Sequence, residues 1–153
     1  MIKYVQGDLF DVTEGVIAHG VNCQSKFGSG VAKTMLEKYP VVKENYHGLC
    51  EHYKLLNFGT GLLLGMVQPV KVSDKLTILN CFTQDKYGYD GKQYIDYDAI
   101  EQCMNEIKRK YLDKGKIVAM PKIGSGLGGG DWTKIEEIIN KVTGDSEILI
   151  YVK

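Results

Sequence analysis

Residues 15–23, GVIAHGVNC, form a continuous run of small apolar residues interrupted by one histidine. Such a run reads as a strand buried on both faces, and a strand of that kind needs covering layers above and below it. The flanking sequence supplies them. IKYVQ (2–6) reads as a first strand ending at Gly7-Asp8. Beyond QSKFGSG (24–30) a helix is predicted near 30–39, closed by Tyr39-Pro40. Pro40 suits the first turn of the next helix, where Val42, Tyr46, Leu49, Cys50 and Tyr53 share one face.

GLLLGMVQPV (61–70) and KLTILNCFT (75–83) read as two further strands, with a turn at Ser73-Asp74 and a polar, tyrosine-containing loop over 84–94. Ile100, Cys103, Met104, Ile107 and Tyr111 mark the strongest helix, with acids at its start and Lys108, Arg109 and Lys110 near its end. KIVAMPKI (116–123) reads as a strand. Asp131 is placed to cap a last helix with Ile135, Ile138, Ile139 and Val142 inward, stopped by Gly144, and EILIYV (147–152) closes the chain as a strand. The sum is one domain over 1–153, an α/β fold with a mixed sheet of about six strands and helices on both faces.

Nineteen basic side chains balance nineteen acidic ones, which argues against an extended grip on a nucleic-acid backbone. Arg109 is the one arginine in the sequence, so a phosphate site here works largely without guanidinium forks. Backbone N–H groups and helix N-termini are the remaining strong donors. The four cysteines, Cys23, Cys50, Cys81 and Cys103, are widely spaced with no C-x-x-C pair, and signal neither a zinc site nor a disulfide framework. No signal peptide or apolar run of membrane-spanning length is seen, and a cytoplasmic location is expected.

Two glycine-rich segments follow strands and lead into helices: FGSGVAKT (27–34) and MPKIGSGLGGGDW (120–132). The second contains G-x-G-x-x-G at Gly124, Gly126 and Gly129, but the next strand ends at Tyr151-Val152-Lys153 without the acid that a dinucleotide's ribose requires. The first fails as a P-loop because Phe27 and Ala32 stand where glycines are needed. It also fails as a cysteine phosphatase loop, because Ser29 stands where arginine would follow Cys23. What remains is a pair of backbone-amide cradles at the carboxyl ends of strands, suited to a diphosphate or to separated phosphates. The alternative is that the glycines serve only tight strand-to-helix turns.

Taken in order, GDLF (7–10), VNCQSKFGSGVA (21–32), NCFTQ (80–84) and MPKIGSGLGGGDW resemble the macro domain family along essentially the whole chain. IAHGVNCQSKFGSGVAKTMLEKYP with the following CEHYK resembles most the branch that holds the yeast-type ADP-ribose 1″-phosphate phosphatase, terminal ADP-ribose glycohydrolases and antitoxin macro domains. The resemblance implies ADP-ribose or its 1″-phosphate as a small-molecule ligand; no cofactor is expected, and a monomer is expected. It assigns Asp8 to the adenine amino group, with the Leu9 amide beside it, and Asn22 to the distal ribose; the alternatives from the residues alone are a helix or turn cap for Asp8 and a turn asparagine for Asn22. Gly28, Ser29, Gly30 and Val31 would embrace the ribose and its phosphate, with Phe27 flanking. Ser125, Gly126, Leu127 and Gly128 would wrap the diphosphate, and Thr83, Gln84, Ile123 and Gly124 would complete the ligand contacts.

His19 is the candidate for general acid–base catalysis, because it matches a histidine that takes part in catalysis in the phosphatase branch; without the resemblance, it reads more readily as a satisfied core histidine. His47 and His52 are expected to contribute only to the surface. Two departures stand out. Gln84 replaces the catalytic lysine of the glycohydrolases and antitoxins, and Gly128 replaces the aspartate after their GxGL. The expected activity is therefore phosphate release from ADP-ribose 1″-phosphate, without metal. The alternatives are a non-catalytic ADP-ribose reader, or an ADP-ribosyl hydrolase using other groups such as Asp85.

Overall fold

The computed structural model describes residues 1–26, 30–56, 59–88, 90, 92–125 and 128–153. Six strands, β1 (Ile2–Gln6), β2 (Gly15–Asn22), β3 (Val67–Lys71), β4 (Leu76–Gln84), β5 (Val118–Met120) and β6 (Ile148–Val152), form one sheet in the order β1-β6-β5-β2-β4-β3. All neighbours run parallel except β3, which pairs antiparallel with β4 across the Ser73-Asp74 turn. The doubly buried strand expected over 15–23 is β2, which lies inside the sheet with cores on both faces.

Alternation along β2 sends Val16 and Ala18 to one core and Ile17 and Val21 to the other. Helices α3 (Tyr97–Lys110) and α4 (Trp132–Thr143) cover the first face through Ile100, Met104, Ile107, Ile135 and Ile139. Helices α1 (Gly30–Lys38) and α2 (Pro40–Leu55) cover the second through Met35, Leu36, Val42, Tyr46 and Cys50. Capping follows the sequence closely. Asp96 accepts from the Ala99 amide and Asp131 from the Thr133 amide, each satisfying an orphan first-turn donor.

Two expected strands are shorter than their apolar runs. Residues 60–63 form a 3-10 turn that buries Leu63 and exposes Leu62, and β3 begins only at Val67. An unbroken apolar run carries no period that separates a plug from a strand. Pro69 sits within β3, which an edge strand tolerates. β5 stops at Met120 because Pro121 has no N–H to continue the ladder.

Candidate functional site

The carboxyl ends of the parallel strands form one rim, the place where open α/β sheets bind ligands. At the end of β2 the register with β4 shifts between Val21 and Asn22, so that Asn22 lies opposite Gln84. The Asn22 side chain then folds the first loop around itself. Its Oδ1 accepts from the Gln24 amide at 2.9 Å and the Lys26 amide at 3.3 Å, and its Nδ2 donates to the Lys26 carbonyl at 2.7 Å. Asn22 thus acts as a turn asparagine whose amide is spent on residues 22–26.

Helix α2 reads this loop from beneath. The Tyr46 hydroxyl shares its proton among Asn22 O at 2.7 Å, Asn22 Oδ1 at 2.9 Å and Lys26 O at 3.4 Å. Ser25, a non-glycine at φ 61°, hydrogen-bonds His47 Nδ1 through its hydroxyl. His47 is therefore half-buried against the loop, which corrects its expected surface role; His52 is exposed as expected. Sequence periodicity assigned Tyr46 to the core and gave no signal that its hydroxyl would serve the loop.

Loop and strand ends are laced together. The Cys23 amide donates to the carbonyls of Gln84 and Asp85, both at 3.1 Å, and Gln24 Nε2 donates to Asp85 Oδ1 at 3.1 Å. Asp85 is half-buried between the first loop and the 60–63 turn, its carboxylate 4.0 Å from where a Cβ on Gly61 would stand. Burial, with Asp85 adding, pushes the Cys23 thiol up to about 12. A thiol held protonated in this way is not a nucleophile.

The second glycine loop leans on residues 92–95. Gly128 O accepts from the amides of Tyr94 at 2.7 Å and Ile95 at 3.0 Å, and the Gly130 amide donates to Gly124 O at 2.8 Å. At Gly129, φ is 71° and a Cβ would stand 2.4 Å from Lys92 O, so only glycine fits. Ser125 Oγ donates to Lys122 O at 3.0 Å. A Cβ on Gly128 would lie 3.1 Å from Gln84 Oε1. The two positions that depart from the glycohydrolase pattern are thus spatial neighbours, and they depart together.

Thr83 and Ile123 are buried beneath the rim, where a Cβ on Gly20 would meet Thr83 Oγ1 at 2.8 Å and Ile123 Cγ2 at 3.3 Å. The close approach holds β2 and β4 against the base of the second loop. Gln84 is half-buried, its Nε2 donating to Lys86 O at 2.7 Å. Gly30 and Val31 open α1, Gly30 exposed and Val31 half-buried. Phe27, Gly28, Ser29, Gly126 and Leu127 lie outside the described residues.

At the far end of the rim, Asp8 Oδ1 accepts from the Phe10 amide at 2.9 Å and Oδ2 lies 3.4 Å from Lys153 Nζ. The Phe10 amide foremost, with Lys153 assisting, holds this carboxyl below its usual range. Leu9 is buried beside it. One Asp8 oxygen caps the turn, and the other faces an exposed lysine.

His19 is fully buried and faces the α1/α2 side with Ile17 and Val21. Its Nε2 lies 2.6 Å from Asn80 Oδ1, and its Nδ1 has no partner among the described residues. Burial pulls its pKa down to about 4 against the opposing Asn80 bond, so the ring is neutral at pH 7. The histidine picked out by sequence is thus brought beneath the sheet face and not to the rim. Among the described residues, no group of three His, Cys, Asp or Glu could hold a metal ion, and no helix is long and apolar enough to cross a membrane.

A fold of this order and rim is shared with known proteins. The ADP-ribose 1″-phosphate phosphatase of the yeast Debaryomyces hansenii is 31% identical, over 99% of this chain and 99% of that protein. A Bacteroides thetaiotaomicron protein of unknown function superposes with a TM-score of 0.84 at 30% identity, covering 99% of this chain and 97% of its own. The macrodomain of Mycobacterium tuberculosis DarG shares the fold, with a TM-score of 0.80 at 23% identity and coverage of 100% and 98%. The macro domain family model matches residues 18–139, spanning β2 through most of α4. Rim, sheet order and sequence agree, and the chain belongs to the macro domain family.

Proposed function

We propose that this macro domain binds ADP-ribose 1″-phosphate along the rim and hydrolyses it to ADP-ribose and phosphate. The observation that carries the reading is the placement of Asp85, a half-buried carboxylate tied by Gln24 to the first loop at the end of a central strand. The likeness to the yeast phosphatase over the full chain supports the substrate.

In this reading the second loop wraps the diphosphate, and the first loop with the start of α1 holds the distal ribose and terminal phosphate. Asp85 takes a proton from the attacking water as a bond forms to phosphorus. The phosphorus–oxygen bond to the ribose breaks, and the leaving 1″-oxygen takes up a proton to give ADP-ribose. Loop amides stabilise charge on the equatorial oxygens. His19, neutral and buried, supports the strand beneath. Phosphate release from ADP-ribose 1″-phosphate in the presence of chelator tests the proposal; no release at high enzyme concentration overturns it.

A second reading, a reader of ADP-ribose without turnover, is favoured by the burial of His19 and by the joint absence of lysine at Gln84 and aspartate at Gly128. Calorimetric binding of ADP-ribose with no phosphate and no ADP-ribose released from any derivative would establish it.

A further inference from the structure

Helix α2 lies behind the rim and bears none of the residues that the family resemblance marks for ligand contact. Yet two of its side chains, Tyr46 and His47, hydrogen-bond the first loop. Tyr46 is fully buried, its ring centroid 5.9 Å from that of Phe82 and 5.3 Å from that of His47. The ring is therefore fixed by packing, and its hydroxyl has a fixed address. That address is the loop: Asn22 O, Asn22 Oδ1 and Lys26 O lie within 2.7 to 3.4 Å of it.

The same Asn22 Oδ1 accepts the amides of Gln24 and Lys26, so the hydroxyl and both amides converge on one oxygen. One helical position on, His47 holds Ser25, the residue at which the backbone turns left-handed. A serine at φ 61° is held there only if its surroundings over-determine it. His47 anchors that strained residue directly, and Tyr46 anchors Asn22 and Lys26 before and after it.

We propose that Tyr46 is a positioning residue for the ligand site, setting the shape of loop 22–26 where it leaves β2. The inference rests on the proposed ligand class, but its mechanical part is independent of it. Tyr46 touches no ligand. Its hydroxyl fixes the oxygen that in turn fixes the loop, and the ring remains a core element when the hydroxyl is removed.

The test is Tyr46→Phe in the full chain, compared with Tyr111→Phe, a half-buried tyrosine on the opposite face. Amide hydrogen exchange is read at Gln24 and Lys26 and, as a global reference, at residues of β4. ADP-ribose affinity is read by calorimetry well below the melting temperature. The expected result is faster exchange confined to Gln24 and Lys26, together with about tenfold weaker binding, the worth of one buried hydrogen bond. Tyr111→Phe leaves both unchanged.

Unchanged exchange at those amides with affinity within about twofold overturns the proposal. So does a rise in exchange of equal size across β4, which marks a purely structural tyrosine. If Tyr46→Phe does not fold, Ser25→Ala removes the second anchor, and the same two readouts decide. If the unaltered protein fails to bind ADP-ribose, the proposed ligand falls, and local exchange alone decides the role of Tyr46.

Discussion

His19 Nε2 lies 2.6 Å from Asn80 Oδ1, and the direction of that hydrogen bond is set two residues away. Asn80 Nδ2 donates to Gln68 Oε1 at 3.1 Å, and Gln68 Nε2 donates to the Asn45 carbonyl of α2 at 2.9 Å. A carbonyl only accepts, so each amide in the chain has one orientation, and Nε2 of His19 must carry the proton. Nδ1 is then a bare acceptor in the core.

This arrangement makes the protein acid-sensitive. The folded-state pKa of His19 is depressed from 6.5 to about 4, so the unfolded chain binds the proton more readily. Stability is full above about pH 6.5 and declines as pH falls toward 4. This group alone costs about 2 kcal/mol between pH 7 and pH 5. Urea unfolding at the two pH values measures it. His19→Leu is expected to lose about 1–3 kcal/mol at pH 7, because Asn80 Oδ1 loses its donor, while its stability falls less steeply with acid. An unchanged pH slope in that variant would exclude His19 as the source.

Asp85→Asn separates chemistry from binding. The amide retains the size of the carboxylate and can still accept from Gln24, so the first loop keeps its lacing. Turnover of ADP-ribose 1″-phosphate is expected to fall by at least about a hundredfold, with ADP-ribose affinity within a few-fold of the unaltered protein. Phosphate release and calorimetry on the same preparation decide the matter; full activity in Asp85→Asn removes it from the mechanism.

The glycines of the second loop divide into two kinds. Gly129→Ala places a Cβ 2.4 Å from Lys92 O at φ 71°, and is expected to cost about 2–4 kcal/mol in thermal or urea unfolding. Gly126→Val, in the segment outside the described residues, is expected to weaken ADP-ribose binding by more than about tenfold with little loss of stability. Equal losses of stability in the two variants would mark Gly126 as structural too.

Asp8→Asn tests the adenine assignment without disturbing the turn. The new side-chain oxygen can still accept from the Phe10 amide, whereas an NH2 group replaces the second acceptor oxygen. ADP-ribose affinity is expected to drop by about tenfold with an unchanged melting temperature. If affinity is unaltered, the far end of the rim does not read the adenine amino group.

Much of the architecture is legible because burial imposes pattern. GVIAHGVNC had to be a strand buried on both faces, and Asp131 and Gly144 bound α4 as capping chemistry requires. The run 61–70 misled because a buried turn and an edge strand can both be uniformly apolar. At the site, sequence located the two loops and the departures at Gln84 and Gly128, but not that these positions touch. A turn role for Asn22 is one of two readings its residue type allows, and the structure shows that geometry; nothing in the sequence shows that Tyr46 and His47 hold that loop from α2. Such contacts join residues with no fixed spacing, so no periodicity announces them.

β5 is three residues long and slots between β2 and β6, which lie far apart in the chain. The first glycine loop is synthesised early, but the loop opposite it emerges only after β5 and has no scaffold until β5 is seated. A nascent chain therefore carries the first loop before the second has a strand to stand on. A molecule that touches both loops therefore favours the assembled sheet over the unfolded chain, and by mass action it stabilises the last strands to assemble.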